Sequence, residues 1–166
     1  MKNTRRLIWV IVYWSMFRPS PYFLFAWRNF LLRLFSANIG RGVHVYPSAR
    51  IFAPWNLTMG PKSCLGWGVD CYCVDKIFIG EESIISQYAF LCTASHDINS
   101  KEFTLLSKPI IIGNKAWVCS RSYVGMGVKL MDGAVVAACG VAVKDVQEWT
   151  VVGGNPAVFI GKRMNN

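Results

Sequence analysis

Apolar residues recur at every sixth position over most of this chain. The spacing is clearest where Ile112, Val118, Val124, Leu130, Val136 and Ala142 follow one another. Four places after each stands something small or β-branched: Ala116, Ser122, Val128, Ala134, Gly140 and Val146. A period of six fits neither the 3.6-residue turn of a helix nor the two-residue alternation of a strand. It fits a solenoid in which each hexad is one flat side and gives its aliphatic residue to a continuous core. The same register runs upstream through Ile39, Val45, Ile51 and Leu57, then Leu65, Cys71 and Ile77, and after a two-residue slip through Ile79, Ile85 and Leu91. The predicted fold class is an all-β solenoid of hexapeptide repeats.

The hexads stop between Leu91 and Ile112. Asp97 to Lys108 is polar and irregular, which predicts an excursion loop at about 97–108 that leaves the coil directly after His96. Loops carried on a rigid scaffold are where binding and catalysis concentrate. Gly40, Gly80, Gly113 and Gly125 directly follow core aliphatics, at corners that call for positive φ or close backbone approach. Before the coil, Leu7 to Phe17 is almost unbroken apolar sequence, and Tyr22 to Phe35 is apolar with Arg28 and Arg33 set into it. Pro19 and Pro21 separate these stretches into two helices. The chain thus divides into an apolar and basic helical segment at 1–37, a coil at 38–157 and a basic tail at 158–166.

Neither front stretch reaches the roughly 20 residues that a membrane-crossing helix needs. The first is followed by Arg18-Pro19-Ser20-Pro21 and no small-x-small cleavage site, so it is expected to be retained rather than removed as a signal peptide. Charge is distributed unevenly: the formal net charge is +9, and the first acidic residue is Asp70. Arginines interleaved with Trp9, Trp14, Trp27 and many Phe and Leu suit an anionic membrane surface better than a nucleic-acid groove, and no nucleic-acid partner is expected. A solenoid end also exposes an apolar cross-section that must be covered. Capping or subunit packing, and peripheral membrane contact through residues 1–35, are therefore alternative expectations for this segment.

The six cysteines lack the paired spacings of a disulfide framework and read as free thiols of a reducing compartment, which makes the cytoplasm the expected address. Cys71 and Cys73 alone do not make up a metal site. Of the two histidines, His44 falls outward in the repeat and reads as an exposed or capping residue. His96 ends its hexad where the excursion begins, between Ser95 and Asp97. An imidazole, with an ordinary pKa near ~6.5, can take a proton from a hydroxyl if its other nitrogen is held by a carboxylate or carbonyl. Two histidines cannot supply the three-histidine zinc site found on some hexapeptide coils, so no metal is expected. The sequence contains neither Gly-x-Ser-x-Gly nor a phosphate-binding glycine loop, which favours direct transfer over a covalent enzyme intermediate.

Several stretches together resemble the left-handed β-helix acetyltransferases of the colanic acid biosynthesis type. They are Ser95-His96-Asp97, Lys108 to Trp117, Gly133 to Val136, Val143-Lys144-Asp145-Val146, and Val151 to Ala157 with its Gly153-Gly154-Asn155-Pro156 turn. Phe17 to Pro21 and Tyr46 to Arg50 extend the resemblance to nearly the whole chain. It implies a homotrimer of left-handed coils that binds acetyl-CoA between neighbouring subunits. It also implies His96 as the base, accompanied by Asp97, and the amide of Ser120 as oxyanion donor. Trp117, Ala138, Val143 and Lys144 would line the cofactor channel, Lys162 and Arg163 would meet the CoA phosphates, and Asp70 and Tyr72 would face the acceptor. The chain departs from the family in three places. Val143 replaces a threonine, Cys119 a glycine, and Cys73 an asparagine associated with acceptor binding.

The resemblance leads to an expected function: acetyl-CoA-dependent O-acetylation of a sugar hydroxyl on a lipid-linked or nucleotide-linked intermediate of surface polysaccharide synthesis. The expected place is the cytoplasm, at the inner face of the plasma membrane. Two alternatives stand beside it. One is acetylation of a small soluble acceptor, a free sugar or an antibiotic, and the other is a non-catalytic β-helix scaffold.

Overall fold

The computed structural model describes residues 2–164, and in it the chain from Asn38 to Gly153 winds through three parallel sheets that form the three faces of a coil. The first face stacks Asn38–Ile39, Leu57–Met59, Ile77–Ile79, Ile110–Ile112 and Lys129–Leu130. The second stacks His44–Val45, Cys64–Leu65, Ile84–Ile85, Trp117–Val118, Val135–Val136 and Thr150–Gly153. The third stacks Arg50–Ile51, Asp70–Tyr72, Phe90–Cys92, Tyr123–Val124 and Val141–Ala142. Each strand is only two to four residues long, because a hexad has room for one short extended run and one corner. Its aliphatic residue points inward, so Val45, Leu65, Ile85, Val118 and Val136 form one fully buried ladder and Ile51, Cys71, Leu91, Val124 and Ala142 another.

Strand register explains the two-residue slip in the repeat. Ile39 lies beside Met59 and Met59 beside Ile79, at intervals of twenty residues, whereas Ile112 lies beside Leu130 at an interval of eighteen. The three-residue strands of the first face turn two side chains inward instead of one: Leu57 with Met59, Ile77 with Ile79, and Ile110 with Ile112. The corner glycines serve close approach. A Cβ on Gly80 would collide with the carbonyl of Gly113, while positive φ at the adjoining corner falls on Lys62, Glu82 and Lys115.

The front of the chain forms two helices, α1 (Lys2–Val12), continued by a π-helical turn at Tyr13–Phe17, and α2 (Phe25–Leu34). They close the first turn of the coil by hydrogen bonding as well as by apolar cover. Inside the coil, Gly40, His44, Tyr46 and Phe52 donate their amides to the carbonyls of Met59, Ser63, Leu65 and Cys71 one turn later. The equivalent first-turn carbonyls, Ile39, Val43, Val45 and Ile51, have no earlier turn to pair with. Side chains of the helices donate to all four: Arg33 Nη2 to Ile39 (2.9 Å), Asn29 Nδ2 to Val43 (2.8 Å), Arg28 Nε to Val45 (2.6 Å) and Trp9 Nε1 to Ile51 (2.7 Å). An unmade bond to a buried carbonyl costs about 1–3 kcal/mol, so these residues are the polar half of the cap. Trp9, Tyr13, Phe17, Leu31, Leu32 and Phe35 are its apolar half. The structure thus assigns a capping role to this segment. No helix among the described residues is long and apolar enough to cross a membrane.

At the other end Val158–Lys162, within the expected tail, folds back as a strand antiparallel to Thr150–Gly153. The excursion after the third face is ordered as well: Ala94–His96 pairs antiparallel with Leu105–Ser107, so that only its tip is irregular.

Candidate active site

The hairpin that carries His96 is fixed at its root by Thr93, which is fully buried. The Thr93 hydroxyl donates to the carbonyl of Tyr72 (2.9 Å) and accepts the amide of Asp75 (2.9 Å), tying the departing chain to the preceding turn. At the tip, the Asp97 carboxylate accepts the amide of Asn99 (2.9 Å), and the Asp97 amide donates to the carbonyl of Thr104 (2.9 Å). Phe103 adopts a left-handed φ of 47°. This reversal turns both the carbonyl and the ring of Phe103 toward His96.

His96 Nδ1 lies 2.7 Å from the Phe103 carbonyl oxygen. A carbonyl only accepts, so Nδ1 carries the proton and Nε2 keeps a free lone pair. The imidazole also stacks on the Phe103 ring, with centroids 4.5 Å apart and planes at 7°. The result is an exposed imidazole with one tautomer and one ring plane selected. The orienting group is the carbonyl of Phe103; the Asp97 carboxylate is engaged within the loop tip.

Asp70 and Tyr72 lie on the third face beside a cavity of about 340 Å³ between α1 and the first turns of the coil. Arg6, Trp9, Arg50 and Phe52 also line it. Arg50 Nη1 is 3.5 Å from Asp70 Oδ2, and the Arg6 guanidinium sits 3.8 Å from the centroid of the Phe52 ring. Half-burial pushes the Asp70 carboxyl above its ordinary range, and Arg50 partly offsets this. A carboxylate and a guanidinium set among aromatic faces can grip hydroxyls and stack on a sugar ring. Tyr72 pairs in register with Cys92, and His96 follows Cys92 by four residues, so the cavity and the hairpin root share one edge of the coil.

The remaining predicted residues lie along the second face and its corners. Trp117 is outward and exposed, with Nε1 donating to Ser86 Oγ (2.9 Å). Ser120 sits at the corner between the second and third faces, where its carbonyl accepts the amide of Cys139 (3.0 Å). The Ser120 amide donates to no backbone group among the described residues, and the same holds at the stacked positions Trp67 and Gln87, because the corner turns that N–H outward. Ala138 lies one turn above Ser120, and Val143 and Lys144 follow the last third-face strand; all three are exposed. Lys162 Nζ donates to Thr150 Oγ1 (3.0 Å), and Arg163 Nη1 donates to the Lys115 carbonyl (2.7 Å) at the opposite corner. Neither of the two cavities described in the single chain is lined by His96, Trp117 or Ser120.

Sequence reasoning missed Phe103, Arg6 and Arg50. The twenty-residue register that places Arg50 beside Asp70 is readable from the repeat, whereas nothing in the sequence marks the return of Phe103 onto His96. Cys71, Cys73, Cys92 and Cys119 are buried free thiols and Cys139 is an exposed one.

No protein-family model matches the sequence. Over 157 residues the chain is 43% identical to the Escherichia coli (strain K12) protein named "Putative colanic acid biosynthesis acetyltransferase WcaF", covering 95% of this chain and 86% of that one. It superposes with a TM-score of 0.87 on a hexapeptide-repeat acetyltransferase from Vibrio cholerae O1 biovar eltor complexed with acetyl coenzyme A, at 22% identity over 98% of this chain and 89% of the other. A maltose O-acetyltransferase from Clostridium difficile 630 superposes with a TM-score of 0.88, at 22% identity over 98% and 88% of the two chains.

Proposed function

Because the chain belongs to the hexapeptide-repeat acetyltransferases of the left-handed β-helix fold, related to the colanic acid biosynthesis proteins, we propose that it transfers the acetyl group of acetyl-CoA to a sugar hydroxyl, with His96 as base. The observation that carries this reading is the Nδ1 bond to the Phe103 carbonyl, which leaves Nε2 free to accept a proton.

The bond changes balance around that nitrogen. Nε2 takes the hydroxyl proton as the acceptor oxygen bonds to the thioester carbon. The negative charge that develops on the carbonyl oxygen falls to an outward backbone amide, for which Ser120 offers an N–H with no backbone partner among the described residues. As the carbon–sulfur bond breaks, the imidazolium returns its proton to the departing thiolate of CoA. The indole of Trp117 and the corner formed by Ala138, Val143 and Lys144 take the cofactor arm, and Lys162 and Arg163 its phosphates. The sugar occupies the cavity by Asp70 and Tyr72. The proposed assembly is a homotrimer with the site between subunits, because the base and the proposed cofactor residues lie on open surface in one chain. The proposed pathway is surface polysaccharide synthesis, as the name of the Escherichia coli relative suggests, and the six free thiols support a cytoplasmic site of action.

Calorimetry paired with turnover tests the assignment. His96→Ala should bind acetyl-CoA like the wild type and lose about 10²–10⁴-fold in kcat, the usual contribution of a positioned base. Wild-type turnover in that variant would remove His96 from the mechanism.

A further inference from the structure

The helix that closes the coil has a second face that the cap does not use. Trp9, Tyr13 and Phe17 point inward, while Leu7, Ile8, Val10, Ile11 and Trp14 on the opposite side are 61, 50, 41, 59 and 61% exposed. Tyr22 and Phe23, in the connector to α2, are as exposed as Leu7. Contiguous exposed apolar area of this kind marks a contact surface. Its chemistry is specific. Aromatic and aliphatic side chains are flanked by the exposed Arg6, over Phe52, and Arg18, over Trp14, and no acidic residue occurs in the chain before Asp70. Charge of one sign around an apolar helical stripe complements an anionic lipid surface.

We propose that the outer face of α1 and its π-helical turn lies in the interface of an anionic bilayer, parallel to its plane. Val10 and Trp14 belong both to this face and to the wall of the cavity beside Asp70 and Tyr72. Docking therefore brings the mouth of that cavity to the lipid headgroups, where a saccharide carried on a lipid anchor would present its sugar. The docking itself is independent of the acetyl-transfer reading; the identification of the lipid-borne acceptor rests on it.

The test is sedimentation of the full-length protein with vesicles of phosphatidylglycerol and phosphatidylethanolamine, compared with phosphatidylcholine alone. The wild type should sediment with the anionic vesicles and be released by salt. Leu7→Asp combined with Ile11→Asp removes two apolar anchors that lie outside the cavity. At roughly tenfold per buried aliphatic side chain, partitioning should fall about 100-fold. The circular dichroism, oligomeric mass and turnover on a soluble sugar of this variant should stay as in the wild type. Leu7→Ser with Ile11→Ser guards against a folding defect and should show the same loss. Equal partitioning of wild type and variants would overturn the proposal. So would a drop in oligomeric mass in the variants, since the face would then belong to a second copy of the chain.

Discussion

Arg28 is fully buried with no acidic partner among the described residues, and the cap depends on what it does. Its guanidinium donates to the carbonyls of Val45 (2.6 Å) and Pro21 (2.8 Å), to the carbonyl of Tyr22, and to Ser20 Oγ (2.9 Å). Burial lowers its pKa from the ordinary value, so the charge is kept at a desolvation cost. In Arg28→Met, Ser20 Oγ would keep its bond to Phe17 (2.6 Å), and water can reach the carbonyls of Pro21 and Tyr22, which belong to exposed residues. The carbonyl of Val45 would be orphaned against the core at about 1–3 kcal/mol, and the fork that joins the connector to the coil would be lost. Relief of the guanidinium's desolvation offsets part of this. The net expectation is about 2–3 kcal/mol of destabilisation, equivalent to a fall in Tm of about 4–12 °C for a chain of this size. Urea and thermal unfolding at fixed protein concentration measure it, with the exposed Arg41→Met as control, expected within about 0.5 kcal/mol of wild type. If Arg28→Met matched that control, the first-turn carbonyls would not need side-chain donors and the account of the cap would be refuted.

Three further outcomes are expected. The folded-state pKa of Asp70 is raised, so the folded protein holds a proton over a pH range in which the unfolded chain has released it, and stability falls as pH rises through that range. Asp70→Asn should therefore be more stable than wild type at neutral pH and lose that advantage below the ordinary aspartate range; a less stable variant at neutral pH would contradict the desolvation argument. Phe103→Ala keeps the backbone carbonyl but removes the stacked ring, a contact of about 0.5–1.5 kcal/mol, and should lower kcat up to ~tenfold without changing KM for acetyl-CoA. Phe103→Tyr should restore the rate, which a purely structural role in the loop tip does not require. Cys139 is exposed beside Ala138, and acetyl-CoA should slow its alkylation, followed by peptide mass spectrometry, while the buried Cys71 and Cys73 react only on unfolding. Equal alkylation of Cys139 with and without acetyl-CoA would move the cofactor arm away from that corner.

Much of the coil was legible in the sequence because a hexad repeat admits few alternatives. Ile112 to Ala142 each fill one buried rung of the ladders. The slip between Ile77 and Ile79 became intelligible only once the first-face strands proved to turn two residues inward. Arg28 and Arg33 read as basic interruptions of an apolar stretch, and their role depends on carbonyls brought near by the fold, at Val45 and Ile39. His96 stood out by its place at the end of the repeat. What orients it did not, because the approach of Phe103 depends on a tip conformation that no local pattern encodes.

Identification of the product decides whether the chain acetylates a sugar hydroxyl. The purified protein would be incubated with acetyl-CoA and saccharide acceptors in free, nucleotide-linked and lipid-linked form, with thiol release followed over time and the acetyl position located by nuclear magnetic resonance. The expected product is an ester on a sugar oxygen, formed by the wild type and lost in His96→Ala. An acetyl group found on nitrogen, or thiol release that no saccharide raises above the level of His96→Ala, would contradict it.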